Sequence, residues 1–206
     1  MRLDAFFSTD TWYAYEEAYG DIRGTRAALL ATAPWKTRVL DLRPDEPTLW
    51  RGVRGSYHPI VNRLTRDPKF RIVEAAPSLF IDNCRALQSR VAPAETRSLA
   101  SWEVQADWIR TGKGLCLLAL RNGRLVAFSY AIVYQRWQYY GYGKTEDKSG
   151  AHHALMWALI RRSKSDGIHH FELGWQGEAT TEKGRGVEQF KRGWGGVDMS
   201  FNAELE

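Results

Sequence analysis

Two adjacent histidine pairs, His152-His153 and His169-His170, are the first residues of this sequence that invite a chemical reading, and the chemistry would be metal ligation. The spacing argues against it. Neighbouring side chains point apart on a helix and on a strand alike, so at most one imidazole of each pair reaches a common point. No cysteine or carboxylate cluster completes a ligand set, and the reading is that there is no metal site. Ser129, His153 and an aspartate can be drawn as a hydrolytic triad, yet no G-x-S-x-G elbow presents the serine. Tyr139, Tyr140 and Tyr142 stand close together in a chain with nine tryptophans and nine tyrosines. Such a group lines a sugar- or base-binding cleft or fills an aromatic core, and the core is the simpler reading. Gly141 and Gly143 interleave with these tyrosines, and glycines at a strand end suit a bulge or a close backbone approach.

The elements that must position these residues follow from periodicity and punctuation. Helices are expected around Trp12 to Tyr19 and Thr25 to Thr32. Thr37 to Leu42 alternates and reads as a short strand closed by Arg43-Pro44. Leu49, Val53, Tyr57, Ile60 and Leu64 then form one apolar helical stripe. Pro59 interrupts it, so a kink or two short helices are expected, with Pro59 opening the second. Arg51, Arg54, Arg63 and Arg66 flank the stripe. Lys69 to Glu74 is a second strand. Residues 78 to 91 and the run from Leu99 to Ile109 are helices, the latter capped by Ser98 or Ser101 and stopped by Gly112.

The middle of the chain changes period. Leu115 to Leu120 is a buried-strand run, and Asn122-Gly123 is the two-residue signal for a type I′ hairpin. Arg124 to Tyr134 returns, Gln135-Arg136 turns, and Trp137 to Gly143 completes a three-stranded antiparallel meander. Ala151 to Lys164 is apolar almost all round and implies a buried helix. Ile168 to Leu173 is the next strand. A helical connection makes it parallel to the strand ending at Gly143, with a right-handed crossover. The tail from Glu188 to Asn202 holds a short helix and a last strand.

The fold class is therefore mixed α/β: a central, mostly antiparallel sheet with one βαβ unit and flanking helices. Residues 1–36 read as an N-terminal extension or partial subdomain, and residues 37–206 as one domain. No apolar run reaches the roughly 20 residues that a spanning helix needs, so no transmembrane segment is expected. No leader pattern opens the chain, and Cys84 and Cys116 read as reduced buried thiols, so the expected location is cytoplasmic. The formal charge of +5 and a pI of 9.3 suit a polyanionic partner without naming one.

One segment carries more information than its periodicity. Gly167 to Gly196 reads G-I-H-H-F-E-L-G-W, then, after a loop, G-V-E-Q-F-K-R-G-W-G-G. It resembles the C-terminal end of FemAB-like proteins, a branch of the GNAT acyltransferase superfamily. There a strand of the form G-x-x-x-[FY]-[DE]-x-G precedes F-K-x-x-[FW]-G. Upstream, Arg38-Val-Leu-Asp-Leu and the stretch from Trp50 to Arg63 resemble what those proteins place before their second GNAT domain. The meander followed by a βαβ unit is also the GNAT core order.

The resemblance implies acyl transfer to an amine. In the GNAT fold the two parallel strands splay, and the gap admits an acyl thioester or ester whose carbonyl meets exposed backbone N–H groups. The donor is then an acyl-CoA or an aminoacyl-tRNA, with no cofactor held permanently. The acceptor is an amine on an amino sugar, a peptide or an amino acid. By position the family's Phe-Lys pair falls on Phe190 and Lys191. Lys191 would stabilise the tetrahedral oxyanion, and Phe190 would stack on an adenine of the donor. Glu172 would orient or deprotonate the amine. Gly141, Tyr142, Gly143, Lys148 and Gly150 are expected on the donor side, and Arg54, Trp175 and Gln176 on the acceptor side.

The sequence departs from the pattern in two places. FemAB proteins carry two GNAT-like domains, and this chain has room for one. Acyl-CoA enzymes of the superfamily usually show [RQ]-x-x-G-x-[GA] before the helix, whereas here Asp147 and His152 occupy the first and last of those positions around Gly150. Lys144 and Lys148 still supply local positive charge. The rival reading is a catalytically inactive GNAT-like module that binds RNA or a nucleotide. No oligomeric state is legible.

Overall fold

A computed structural model describes residues 35–91, 99–146, 149–176 and 181–201. The expected helices before residue 35, the Ser98 cap, Asp147 and Lys148 lie outside the described residues.

The first strand, β1, spans Trp35–Asp41. Helix α1, Glu46–Gly52, starts where the Asp45 side chain accepts a hydrogen bond from the Thr48 N–H. A 3₁₀ turn, Gly55–Tyr57, joins it to α2, His58–Arg66, with Pro59 in the first turn. The single apolar stripe is thus cut into short helices, as proline requires. Strand β2, Phe70–Glu74, leads to α3, Pro77–Val91, and α4, Leu99–Arg110. Ser101 lies inside α4 rather than at its cap: it is fully buried, and its hydroxyl accepts from Gln105 Nε2 at 3.1 Å.

Strands β3, Gly114–Arg121, β4, Arg124–Tyr134, and β5, Trp137–Thr145, form the meander. Asn122 and Gly123 both take positive φ, 51° and 78°, as a type I′ turn demands. Helix α5, Ala151–Ser165, crosses to β6, His170–Trp175, which runs parallel to β5. β6 starts two residues later than its apolar run suggests. Ile168 is still tied to the helix, its N–H bonding Ser163 O, and His169 N–H bonds Arg136 O. Helix α6, Glu182–Arg192, begins earlier than expected because Thr181 caps it, accepting from Gly184 N–H at 3.0 Å. Strand β7, Val197–Phe201, is last.

The seven strands lie in the order β2-β3-β4-β5-β6-β1-β7. β1 is inserted between the last two strands and runs antiparallel to both. One apolar cluster packs α1, α2 and α5 on one face of the sheet, around Leu64, Leu155, Phe171 and Trp194. The other face is covered by α3 and α4, around Phe80, Trp102, Phe128 and Tyr130. Cys84 and Cys116 are free thiols buried in that second cluster.

Candidate active site

β5 and β6 are paired only at Trp137↔His170, Gln138↔Phe171 and Tyr139↔Glu172. Past that point β5 continues to Thr145 and β6 to Trp175 with no ladder between them. A glycine marks the departure on each strand. Gly141 is the extra residue of a bulge, since Tyr130 faces Tyr142 while Ala131 faces Tyr140. Gly174 has φ +78°, within the register shift between β6 and β1. The parting strands leave an opening across which their backbones do not pair.

Lys191, in the last turn of α6, reaches this opening. Its Nζ lies 3.4 Å from the point a Cβ on Gly174 would occupy, and Tyr139 Oη lies 2.9 Å from the same point. The missing side chain is what makes room for both groups. Burial pushes the Lys191 ammonium down to about 8, while Glu172 and Glu188 pull the other way. Glu172 is 1% exposed and accepts a hydrogen bond from the fully buried Thr37 at 2.7 Å. A cation and a carboxylate thus stand together where the two strands part.

The opposite face of the opening is aromatic. Phe190 packs against His152 and His153, with ring centroids 5.2 and 5.1 Å away, and against Trp194 at 5.9 Å. His152 Nε2 is 2.7 Å from Tyr140 Oη. Burial pushes His152 down to about 4, so the imidazole is neutral at ordinary pH. Gly143 is shaped to this pair: a Cβ there would collide with His152 Cε1 and stand 2.7 Å from Tyr140 Oη.

The structure therefore brings Lys191, Glu172, Phe190, Gly141 and Gly143 to one opening. Tyr142 is not among them. It points to the other side, ringed by Phe128, Trp102 and Tyr130, and its hydroxyl donates to Gln105 Oε1 at 2.7 Å. The bulge at Gly141 turns Tyr140 and Tyr142 to opposite faces of the sheet. Gly150, with φ +88°, is the N-cap of α5, and its Cα packs on Ile60. Gln176 is buried just past β6, its N–H bonding Lys36 O. Trp175 pairs with Thr37 at the strand end. Arg54 is exposed, with its guanidinium 5.6 Å from the Tyr57 ring. Three groups of the opening are not assigned by the sequence: Thr37, Tyr139 and the Tyr140–His152 pair. Thr37 has no local signal at all, because its partner lies on a distant strand.

Residues 85–192, just over half of the chain, match the acetyltransferase (GNAT) domain family. The chain belongs to that family. This GNAT domain holds Lys191 and Glu172 where β5 and β6 part. Among solved structures it resembles FemX, at 9% identity and a TM-score of 0.69, over 82% of this chain and 60% of that one. It also resembles the C-terminal domain of a putative lysylphosphatidylglycerol synthetase from Agrobacterium fabrum, at 12% identity and a TM-score of 0.58, over 81% and 58% of the two chains. L-PGS from Bacillus licheniformis follows at 15% identity and a TM-score of 0.59, over 83% and 61%. At such identities the likeness is one of fold. The GNAT chain spans about three-fifths of the length of these relatives. No curated protein sequence matches it. Among the described residues, no group of three metal-type side chains is placed to hold an ion, and no helix is long and apolar enough to cross a membrane.

Proposed function

We propose that this GNAT chain moves an aminoacyl group from the 3′ end of a charged tRNA to an amine acceptor such as an amino sugar, a peptide or an amino acid. The observation that carries the reading is the half-buried Lys191 ammonium beside the buried Glu172, at the point where β5 and β6 part. The amine attacks the ester carbonyl and a C–N bond forms. Glu172 takes the amine proton, and the oxyanion develops next to Lys191. The C–O bond to the ribose then breaks, and the ribose oxygen leaves with the proton that Glu172 took, which restores the carboxylate. A preorganised ammonium in a site of low dielectric stabilises such an oxyanion by a few kcal/mol, roughly 10²–10³ in rate.

The choice of donor rests on the N-terminus of α5. A pyrophosphate needs the open first turn of that helix. Here Ile60 and Leu64 of α2 crowd the place a Gly150 Cβ would take. Arg63 bonds Ser149 O just before the helix, and the imidazoles of His152 and His153 pack against Phe190 beside its first turn. That crowding disfavours an acyl-CoA seated in the usual loop and supports an ester donor that enters from the strand side. The name of the Agrobacterium neighbour, a lysylphosphatidylglycerol synthetase, supports aminoacyl chemistry in a fold of this type. An inactive binding module would have no need of a desolvated lysine next to a buried carboxylate.

The test is a paired one. Thermal-shift titration with acetyl-CoA is expected to leave the melting temperature unchanged, and radiolabelled aminoacyl-tRNA is expected to lose its label to an added amine. A saturable upward shift with acetyl-CoA, together with no transfer from charged tRNA, would reverse the choice of donor.

A further inference from the structure

Several arginines on this surface have a carboxylate beside them. Arg38 pairs with Asp198, Arg43 with Asp41, Arg110 with Asp107, Arg161 with Glu46, Arg162 with Asp166 and Arg192 with Glu188. Arg54, Arg63 and Arg66 do not, and Arg51 bonds Thr48 Oγ1 and feels the Asp45 carboxylate without forming an ion pair with it. All four are exposed, none is ion-paired among the described residues, and no Asp or Glu occurs between Arg51 and Arg66. Unpaired positive charge concentrated on one short stretch is costly to a fold and useful to a polyanion.

The same stretch borders the candidate site. Arg54 N–H bonds Gly193 O just past α6, two residues from Lys191. Tyr57, under the Arg54 guanidinium, packs on Phe190 and Trp194. At the other end, Arg63 reaches Ser149 O before α5. Arg63 and Arg66 lie three apart on α2, on the side away from the buried Val61 and Leu64. The four side chains so form a basic border running from the Lys191 end of the opening along the outer side of α2.

We propose that this border, Arg51, Arg54, Arg63 and Arg66, binds the sugar–phosphate backbone of an RNA whose 3′ end enters the opening. The inference rests on the donor reading above and extends it by placing the RNA. It also moves Arg54 from the acceptor side, where the sequence pattern puts it, to the donor side. The guanidiniums contact phosphates and not bases, so binding is tolerant of sequence and strongly dependent on salt.

The experiment is fluorescence anisotropy of the full chain with uncharged tRNA at several salt concentrations. In the wild type, the logarithm of the binding constant falls linearly with the logarithm of salt. Replacing all four (R51Q/R54Q/R63Q/R66Q) is expected to reduce that slope by about 3, at about 0.7–0.9 for each phosphate no longer neutralised. R110Q, an ion-paired arginine on the far face, should leave the slope unchanged. The four side chains are exposed, so the melting temperature of the variant should stay near that of the wild type. An unchanged slope in the fourfold variant, or no tRNA binding by the wild type, overturns the proposal. Binding to phosphatidylglycerol vesicles in place of tRNA, abolished in the same variant, overturns it in favour of a membrane surface. Transfer from charged tRNA separates the two levels. Wild-type transfer with an unchanged slope removes only the surface, whereas a lowered slope without transfer removes only the donor reading.

Discussion

Thr37 on the first described strand donates through Oγ1 to Glu172 Oε1 at 2.7 Å, across 135 residues of chain. Both side chains are buried, so this bond is made away from water. Removing the donor leaves a buried carboxylate oxygen short of a partner, which costs about 1–3 kcal/mol. Thr37→Val is therefore expected to lower both stability and turnover, and Thr37→Ser, which keeps the hydroxyl, to restore most of each. Denaturant melts and initial rates on the three proteins check this. Turnover equal to wild type in the valine variant would take Glu172 out of the reaction.

Lys191 supplies a second prediction. Its ammonium is the form that stabilises an oxyanion, and burial brings its titration down to about 8. The active form is the protonated one, so the rate should fall as pH rises through about 8. Lys191→Ala should lower turnover by roughly 10²–10³ while the protein keeps its melting temperature. A pH–rate profile flat from 7 to 10 would assign the work to another group.

His152 gives a prediction about stability. Its folded-state titration lies at about 4 against an ordinary 6.5. Between those values the unfolded chain binds the proton more tightly, so stability must fall as pH drops from 6.5 towards 4, by up to about 3 kcal/mol. His152→Gln keeps a polar partner for Tyr140 and cannot be protonated. Its urea midpoint is expected to vary less over that window than the wild-type midpoint, and identical curves would contradict the assignment.

The two glycines at the opening should behave differently from most surface glycines. Gly174→Ala places a methyl 2.9 Å from Tyr139 Oη on a backbone with φ +78°. Gly143→Ala drives a methyl into the His152 ring. Each is expected to cost about 1–3 kcal/mol through overpacking, with strain added at Gly174. Only Gly174→Ala should also displace the Lys191 ammonium, so the fall in turnover per degree of melting temperature should be larger for it.

Much of this architecture is legible in the sequence, for local reasons. Asn122-Gly123 announces the hairpin because two positive φ values have few other spellings. Pro59 divides the apolar stripe, and the all-round apolar helix that begins at Ala151 is buried as it reads. The Phe190-Lys191 and Glu172 positions are read from a motif, and the structure brings these residues together where β5 and β6 part. What is not legible depends on distant parts of the chain. The place of β1 between β6 and β7 is set by pairing across more than a hundred residues, and Thr37 with it. Tyr142 falls in with its neighbours on the page because alternation along a regular strand cannot reveal a bulge. One extra residue at Gly141 reverses which face each tyrosine meets.

The insertion of β1 between the two last strands also governs when the protein becomes competent. A ribosome releases β1 early, but its neighbours β6 and β7 are made only after the meander and α5. Until then the cluster around Leu40 and Leu42 lacks Phe171, Leu173 and Trp194, and Glu172 has not been synthesised for Thr37 to meet. The meander of β3, β4 and β5 can close from nearby contacts alone, whereas the half of the sheet beyond the opening must wait for β6 and β7. A nascent or C-terminally clipped molecule that ends before β6 thus holds neither Glu172 nor Lys191, the two groups on which the proposed transfer rests.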